Sequence, residues 1–250
     1  MNQLLITNLN AYYGKKCALH DVNLELKNGL YGLIGPNGAG KTTLMKILTT
    51  MKRPDEGEVF WNGENIYKMG VAYRSLIGYV PQEDASYPFF TVEEFLNYIA
   101  ALQNVKGAEA KKRIDEAMVK TECQSYRDQK LKSLSGGMRR RTMIASALIG
   151  NPSLLIMDEP SAGLDPYQRE QLMRVIQTLA EERIVLYSTH IMSDLEWHAR
   201  ELILLKQGSV IAKGSRGEII EGCKFDNTSW AADRNATLED VYVYYFGTFE

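Results

Sequence analysis

Val22-Asn23-Leu24-Glu25-Leu26 alternates apolar and polar positions and runs into Asn28-Gly29, the pattern of a half-buried strand closed by a turn. Leu4-Leu5-Ile6 reads as an earlier strand. Leu30-Tyr31-Gly32-Leu33-Ile34 is short and continuously apolar, as in a strand covered on both faces. A glycine-rich stretch follows it, and then a helix is predicted from Thr42 to about Leu48. Glu58-Val59-Phe60-Trp61, turning at Asn62-Gly63, reads as a peripheral antiparallel strand. Leu76-Ile77-Gly78-Tyr79-Val80 is a second buried strand, ending at Pro81-Gln82.

From about Val92 to Glu122 the period changes to helical, with Phe95, Leu96, Ile99 and Leu102 three and four apart, then Ile114, Ala117 and Met118 on one face. A helix from Gly137 to Leu148 stops at Gly150-Asn151-Pro152. Leu154-Leu155-Ile156-Met157 and Ile184-Val185-Leu186-Tyr187-Ser188 are further buried strands. Between them a helix opens at Asp165-Pro166 and buries Leu172, Val175, Ile176 and Leu179. Glu201–Leu205 and Ser209–Ala212 frame a Gln207-Gly208 hairpin, and Ser215 with Glu218 forms a capping box. The predicted fold is α/β: a mainly parallel sheet, an antiparallel β subdomain, and a helical subdomain inserted into the core.

Composition narrows the ligand. The chain has 250 residues, enough for one large domain or a domain with a subdomain. Its 29 basic and 31 acidic residues give no electrostatic reason to expect nucleic acid. Cys17, Cys123 and Cys223 form no CxxC pair and read as reduced thiols. No run approaches the roughly 18 apolar residues of a spanning helix, and the start lacks the basic region of a signal peptide.

Gly35-Pro36-Asn37-Gly38-Ala39-Gly40-Lys41-Thr42 matches GxxxxGK[ST] between a buried strand and a helix, the context that gives the motif meaning. Glycines let backbone N–H groups turn toward phosphate oxygens, and the helix start adds partial positive charge. Lys41 suits the β- and γ-phosphates, and the Thr42 hydroxyl suits Mg²⁺; Thr43 follows in the same first turn. Kinases, GTPases and motors all remain open at this point. Asp158 and Glu159 then end an apolar strand, where α/β sheets bind ligands. Adjacent residues there point differently, so Asp158 can serve Mg²⁺ through water while Glu159 polarises an attacking water.

Leu134-Ser135-Gly136-Gly137-Met138 closely resembles the signature of ATP-binding cassette (ABC) ATPases. Asp165 in Ser161-Ala162-Gly163-Leu164-Asp165 resembles their D-loop, His190 their switch histidine and Gln82 their Q-loop residue. The motifs stand in family order over roughly residues 1 to 220. The resemblance implies a P-loop ATPase core spanning 1–222, with the helical subdomain at about 91–150 and a tail, 223–250, of unassigned role. It implies bound ATP and Mg²⁺, the metal held by Thr42, Gln82 and Asp158. It assigns Glu159, His190 and Lys41 to catalysis. Gly35, Asn37, Gly38, Ala39, Gly40, Lys41, Thr42 and Thr43 would cradle phosphates, with Gln82 beside them. Ser135, Gly136, Gly137 and Asp165 would reach ATP held by a facing cassette, so two cassettes act head to tail, as a homodimer or with a paired cassette. Tyr13 resembles the residue stacked on adenine, with adjacent Tyr12 as the alternative register.

By the same resemblance the chain is the ATPase subunit of a transporter. It would work as a dimer beneath separate membrane-spanning subunits, peripheral to the cytoplasmic face of the inner membrane. Their contact would lie near Gln82 and Ala85-Ser86-Tyr87-Pro88-Phe89-Phe90, where apolar and aromatic anchors cluster, with Phe89 and Phe90 equally suited to helix-packing core. Met138 replaces the family's usual Gln, a change seen in exporter-like members; residues 87–94, Leu238-Glu239-Asp240-Val241 and the short C-terminus also resemble exporter-type cassettes. The alternative is a soluble, non-transport ABC ATPase acting on a macromolecular complex. A single phosphate loop and the lack of a heptad run weigh against it. A binding-only module is disfavoured by the intact Lys41, Asp158, Glu159 and His190. Arg139-Arg140-Arg141 is expected to fan out toward solvent and phosphate. Trp230 and Tyr242–Phe246 suit either packing or a partner surface.

Overall fold

The computed structural model describes residues 2–82, 87–223 and 236–247. In chain order the elements are β1 (Gln3–Tyr13), β2 (Lys16–Lys27), β3 (Gly29–Ile34), α1 (Lys41–Leu48), β4 (Glu56–Trp61) and β5 (Glu64–Asn65). The single turns α2 (Ile66–Met69) and α3 (Val71–Arg74) lead to β6 (Ile77–Val80). Three helices follow, α4 (Val92–Leu102), α5 (Gly107–Lys120) and α6 (Gly136–Leu148). Then come β7 (Leu154–Asp158), α7 (Pro166–Ala180), β8 (Ile184–Thr189), β9 (Glu201–Lys206), β10 (Ser209–Gly214), α8 (Arg216–Gly222) and α9 (Leu238–Phe246).

Two sheets result. The antiparallel one has order β2-β1-β4-β5, and the second has order β10-β9-β3-β8-β7-β6. In the second sheet β9, β3, β8, β7 and β6 are parallel, and only β10 runs antiparallel, at one edge. The expected α/β fold with its antiparallel subdomain is therefore present. The first hairpin is longer than the alternating run suggested, because β1 and β2 continue to a turn at Gly14, where φ is +58°. Gly29 ends the hairpin and begins β3 directly.

Strand periodicity sorts the apolar side chains into two cores. Leu154 and Ile156 of β7, Ile184 and Leu186 of β8, and Ile203 and Leu205 of β9 pack with α1 and the antiparallel sheet. Leu155 and Met157, Val185 and Tyr187, and Leu202 and Leu204 face the helices on the other side. Sequences that look uniformly apolar thus serve both faces. β6 is only half-buried, with Ile77 and Tyr79 partly accessible, because it is an edge strand.

The helical block has the expected cores, with Phe95, Leu96, Ile114, Ala117 and Met118 buried. Leu102 departs from expectation at 66% exposed; the buried stripe of α4 passes instead through Ala100. Leu102 lies at the edge of that stripe, in the last turn before the chain leaves the core. Cys123 and Cys223 are buried and Cys17 is exposed, all three as free thiols.

Candidate nucleotide site

β3 delivers the glycine-rich loop and α1 receives it. Gly38 and Gly40 hold φ of +81° and +113°, a region where a side chain is strained. At Gly40 a Cβ would also lie 2.6 Å from the Ala18 carbonyl, and at Gly35 it would collide with that of Leu205. At Gly38 nothing lies within 4 Å, since that side opens into a cavity. The loop is pinned from behind by the β9–β10 hairpin, where Gly208 N donates to Ala39 O at 2.8 Å. No side chain caps the start of α1, which leaves its first N–H groups available to a ligand.

The cavity is about 820 Å³ and is lined by Tyr13, the loop from Gly35 to Thr43, Gln82, Asp158, Glu159 and His190. Lys41 is 8% exposed, and its Nζ donates to the carbonyls of Gly35 and Pro36. Burial lowers its pKa, partly offset by Glu159 and Asp158. A desolvated cation held only by carbonyl dipoles and nearby acids is poised for an anion.

Asp158 is buried at the end of β7 and accepts from Ser188 Oγ at 2.6 Å. Glu159 turns away at φ +45°, its own N–H donating to Ser188 O at 3.1 Å. This left-handed backbone sends the two adjacent carboxylates to different places. Glu159 Oε2 accepts from Gln82 Nε2 at 3.1 Å, and its Oε1 stands 3.1 Å from His190 Nδ1. Residues from the ends of three parallel strands, β6, β7 and β8, thus converge on one carboxylate.

Tyr13 lines the cavity and Tyr12 does not; the Lys52 ammonium lies 4.8 Å from the Tyr13 ring centroid. Ser135, Gly136, Gly137 and Asp165 are not brought to this cavity. Ser135 caps α6, accepting from Met138 N at 3.3 Å, and Asp165 caps α7, accepting from Gln168 N at 2.8 Å. Ser135, Gly137, Leu164 and Asp165 instead line a separate depression of about 230 Å³. Tyr87, Phe90 and Tyr98 pack ring against ring, while Phe89 is 70% exposed beneath Lys132. Ala85, Ser86 and Trp230 lie outside the described residues.

Sequence reasoning missed three features. Arg140 does not fan out to solvent. It is buried, and it donates to the carbonyls of Pro81 (2.8 Å), Glu159 (2.8 Å), Asp158 (3.3 Å) and Pro160 (2.7 Å). One side of α6 faces the strand ends, and position 140 falls on it. Asp194, also buried, accepts from Ser161 Oγ and from the Tyr187 hydroxyl at 3.0 Å, joining the turn after Glu159 to the turn after His190. Burial, and then Asp194, push the Tyr187 phenol well above its ordinary pKa. The third feature is Tyr242 of α9, which lines the cavity. Only the spacing of Arg140 from the signature hinted at any of these.

A glycine loop at a strand–helix junction, a buried lysine and paired strand-end carboxylates define a P-loop nucleoside-triphosphatase. The sequence profile described as "ABC transporter" matches residues 19–162. The Nod factor export ATP-binding protein I of Cupriavidus metallidurans is 36% identical over 88% of this chain and 74% of its own length. The probable sulfate/thiosulfate import ATP-binding protein CysA of Chlorella vulgaris is 36% identical over 86% of this chain and 92% of its own. Among solved structures, the dimeric bacterial ABC transporter cassette MJ0796 superposes with a TM-score of 0.74 at 27% identity, covering 85% of this chain and 98% of that one. The chain belongs to the ABC transporter family, as an ATP-binding and ATP-hydrolysing subunit. No helix among the described residues is long and apolar enough to cross a membrane.

Proposed function

We propose that this chain binds MgATP in the cavity between Tyr13 and His190 and hydrolyses it, as one half of a head-to-tail dimer, to drive separate membrane-spanning subunits. The observation that carries the reading is the Glu159 carboxylate, held between Gln82 and His190 at the wall of the cavity that contains Lys41. Tyr13 would stack on adenine, and the N–H groups from Asn37 to Thr43 with Lys41 would take the phosphates. Glu159 accepts a proton from the attacking water, and His190 and Gln82 fix its orientation and solvation.

The residues fit the implied metal. Among the described residues no cluster of three or more His, Cys, Asp or Glu side chains is arranged as a metal cage. Mg²⁺ in nucleotide sites needs only one or two protein ligands beside phosphate oxygens and water. Thr42, Asp158 and Gln82 border the cavity and would supply them. The metal would neutralise charge on the β- and γ-phosphates.

The distance of Ser135, Gly136, Gly137 and Asp165 from the cavity supports a facing copy as the source of the γ-phosphate contacts. The N-terminus of α6 then presents Ser135 and backbone N–H groups to the partner's ATP. The dimeric form of the MJ0796 cassette is in keeping with this arrangement. The exposed Phe89 and the Tyr87–Phe90 aromatic pair suit the contact with the membrane subunits. Export is the favoured direction, on the exporter-like segments at 87–94 and 238–241. In this reading 1–222 is the ATPase domain with its helical insertion at 91–150.

The test is Glu159→Gln. It should bind ATP, hydrolyse it at least ~10²-fold more slowly, and accumulate as an ATP-bound dimer by size-exclusion chromatography. Hydrolysis at the wild-type rate would sink the assignment.

A further inference from the structure

We propose that α9 forms a wall of the nucleotide cavity and that Tyr242 contacts the triphosphate end of the bound nucleotide. The proposal rests on the cavity being the ATP site. Tyr242 lines the same cavity as Lys41, Glu159 and His190, although no phosphate-loop, acidic-strand or signature motif includes it.

Its approach is fixed by how α9 is anchored. Leu238 and Val241 are buried in the core on the helical side of the sheet, and Thr237 with Asp240 makes a capping box. Arg216 of α8 donates to the Ala236 carbonyl at 2.9 Å while pairing with Glu196 at 2.9 Å. Lys206, at the end of β9, donates to the Tyr245 carbonyl at 2.6 Å. α9 packs on the turn Met192–Asp194, which directly follows His190. Tyr242 is therefore carried on a helix fixed both to the turn after His190 and to the end of β9, the strand that backs Gly35, whereas Tyr13 comes from the β1–β2 hairpin.

The side chain suits an oxyanion. The Tyr242 ring packs on Phe246, with centroids 4.8 Å apart, which restrains its orientation. Its hydroxyl has no hydrogen-bond partner among the described residues. A phenol in a cavity wall beside a polyphosphate donates to a phosphate oxygen, and its ring excludes water from that side. The γ-phosphate is the group the His190 side would sense, so the contact should favour ATP over ADP.

Equilibrium titration of the full chain with Mg²⁺ and either β,γ-imido ATP or ADP tests this. Tyr242→Phe keeps the ring on Phe246 and removes only the hydroxyl. It should weaken the imido analogue by about three- to tenfold, the scale of one hydrogen bond to a charged group, with less than about a twofold change for ADP. Tyr242→Ala should weaken it further, with an unchanged far-ultraviolet circular dichroism spectrum. Unchanged affinity for the analogue in Tyr242→Phe, or equal losses for both nucleotides, overturns the proposal. A wild-type chain that binds neither nucleotide overturns the ATP-site reading itself, so the two failures are told apart.

Discussion

His190 Nδ1 stands 3.1 Å from Glu159 Oε1, although neither residue is near the other in sequence. Glu159 is 12% exposed at its side chain and His190 is 56% exposed, so a mostly buried acid is oriented by an accessible imidazole. The imidazole borders solvent, while the carboxylate is held by Gln82 as well. That asymmetry suits the roles proposed above, His190 responding to nucleotide and Glu159 acting as base.

His190→Ala should therefore lower ATP hydrolysis by about 10²-fold while changing ATP affinity by less than about threefold, measured by phosphate release and nucleotide titration. Gln82→Ala, which removes the second tether, should cost less, on the order of tenfold. A His190→Ala variant that loses ATP binding in proportion to rate would assign the histidine to simple affinity instead.

The buried Lys41 charge carries a cost in folding. Its pKa is lowered in the fold, so below that folded value the buried charge opposes folding. This opposition is relieved as pH rises from the folded toward the unfolded pKa. Lys41→Met should abolish ATP binding yet leave the nucleotide-free protein no less stable, and up to about 1 kcal/mol more so, by urea denaturation. A loss above about 1 kcal/mol would mean that its two carbonyl contacts dominate its burial.

Arg140 bridges four backbone carbonyls at the junction of β6, β7 and α6. Removing it strands buried acceptors beneath Glu159. Arg140→Ala should cost about 3 kcal/mol of stability and lower hydrolysis more than it weakens ATP binding. Arg140→Lys, with fewer donors and no planar fork, should recover only part of either loss.

Gly38 and Gly40 separate backbone strain from steric clash. Gly38→Ala should cost about 1 kcal/mol from its positive φ alone, since the added methyl meets nothing within 4 Å. Gly40→Ala adds the approach to the Ala18 carbonyl, and its thermal midpoint should fall further than that of Gly38→Ala. Equal midpoints would show that the loop shifts freely.

The local elements and the chemistry each carries are legible along the chain. The loop from Gly35 to Thr42 is legible because phosphate binding by backbone N–H groups needs consecutive residues, as does the Asp158-Glu159 pair at a strand end. The capping box at Ser215 and the hairpin at Gln207-Gly208 are equally local. The remainder depends on contacts made across the fold. Apolar runs such as Leu154–Met157 do not say which residue faces which core until both layers are in place. Arg140 read as a surface charge because its partners are backbone carbonyls, which carry no sequence signal. Tyr242 read as a tail aromatic because a long-range packing of α9 on the turn after His190 is what brings it to the cavity. A site built on contiguous backbone is written in the sequence. One closed by side chains arriving from distant elements is visible only once the chain has folded.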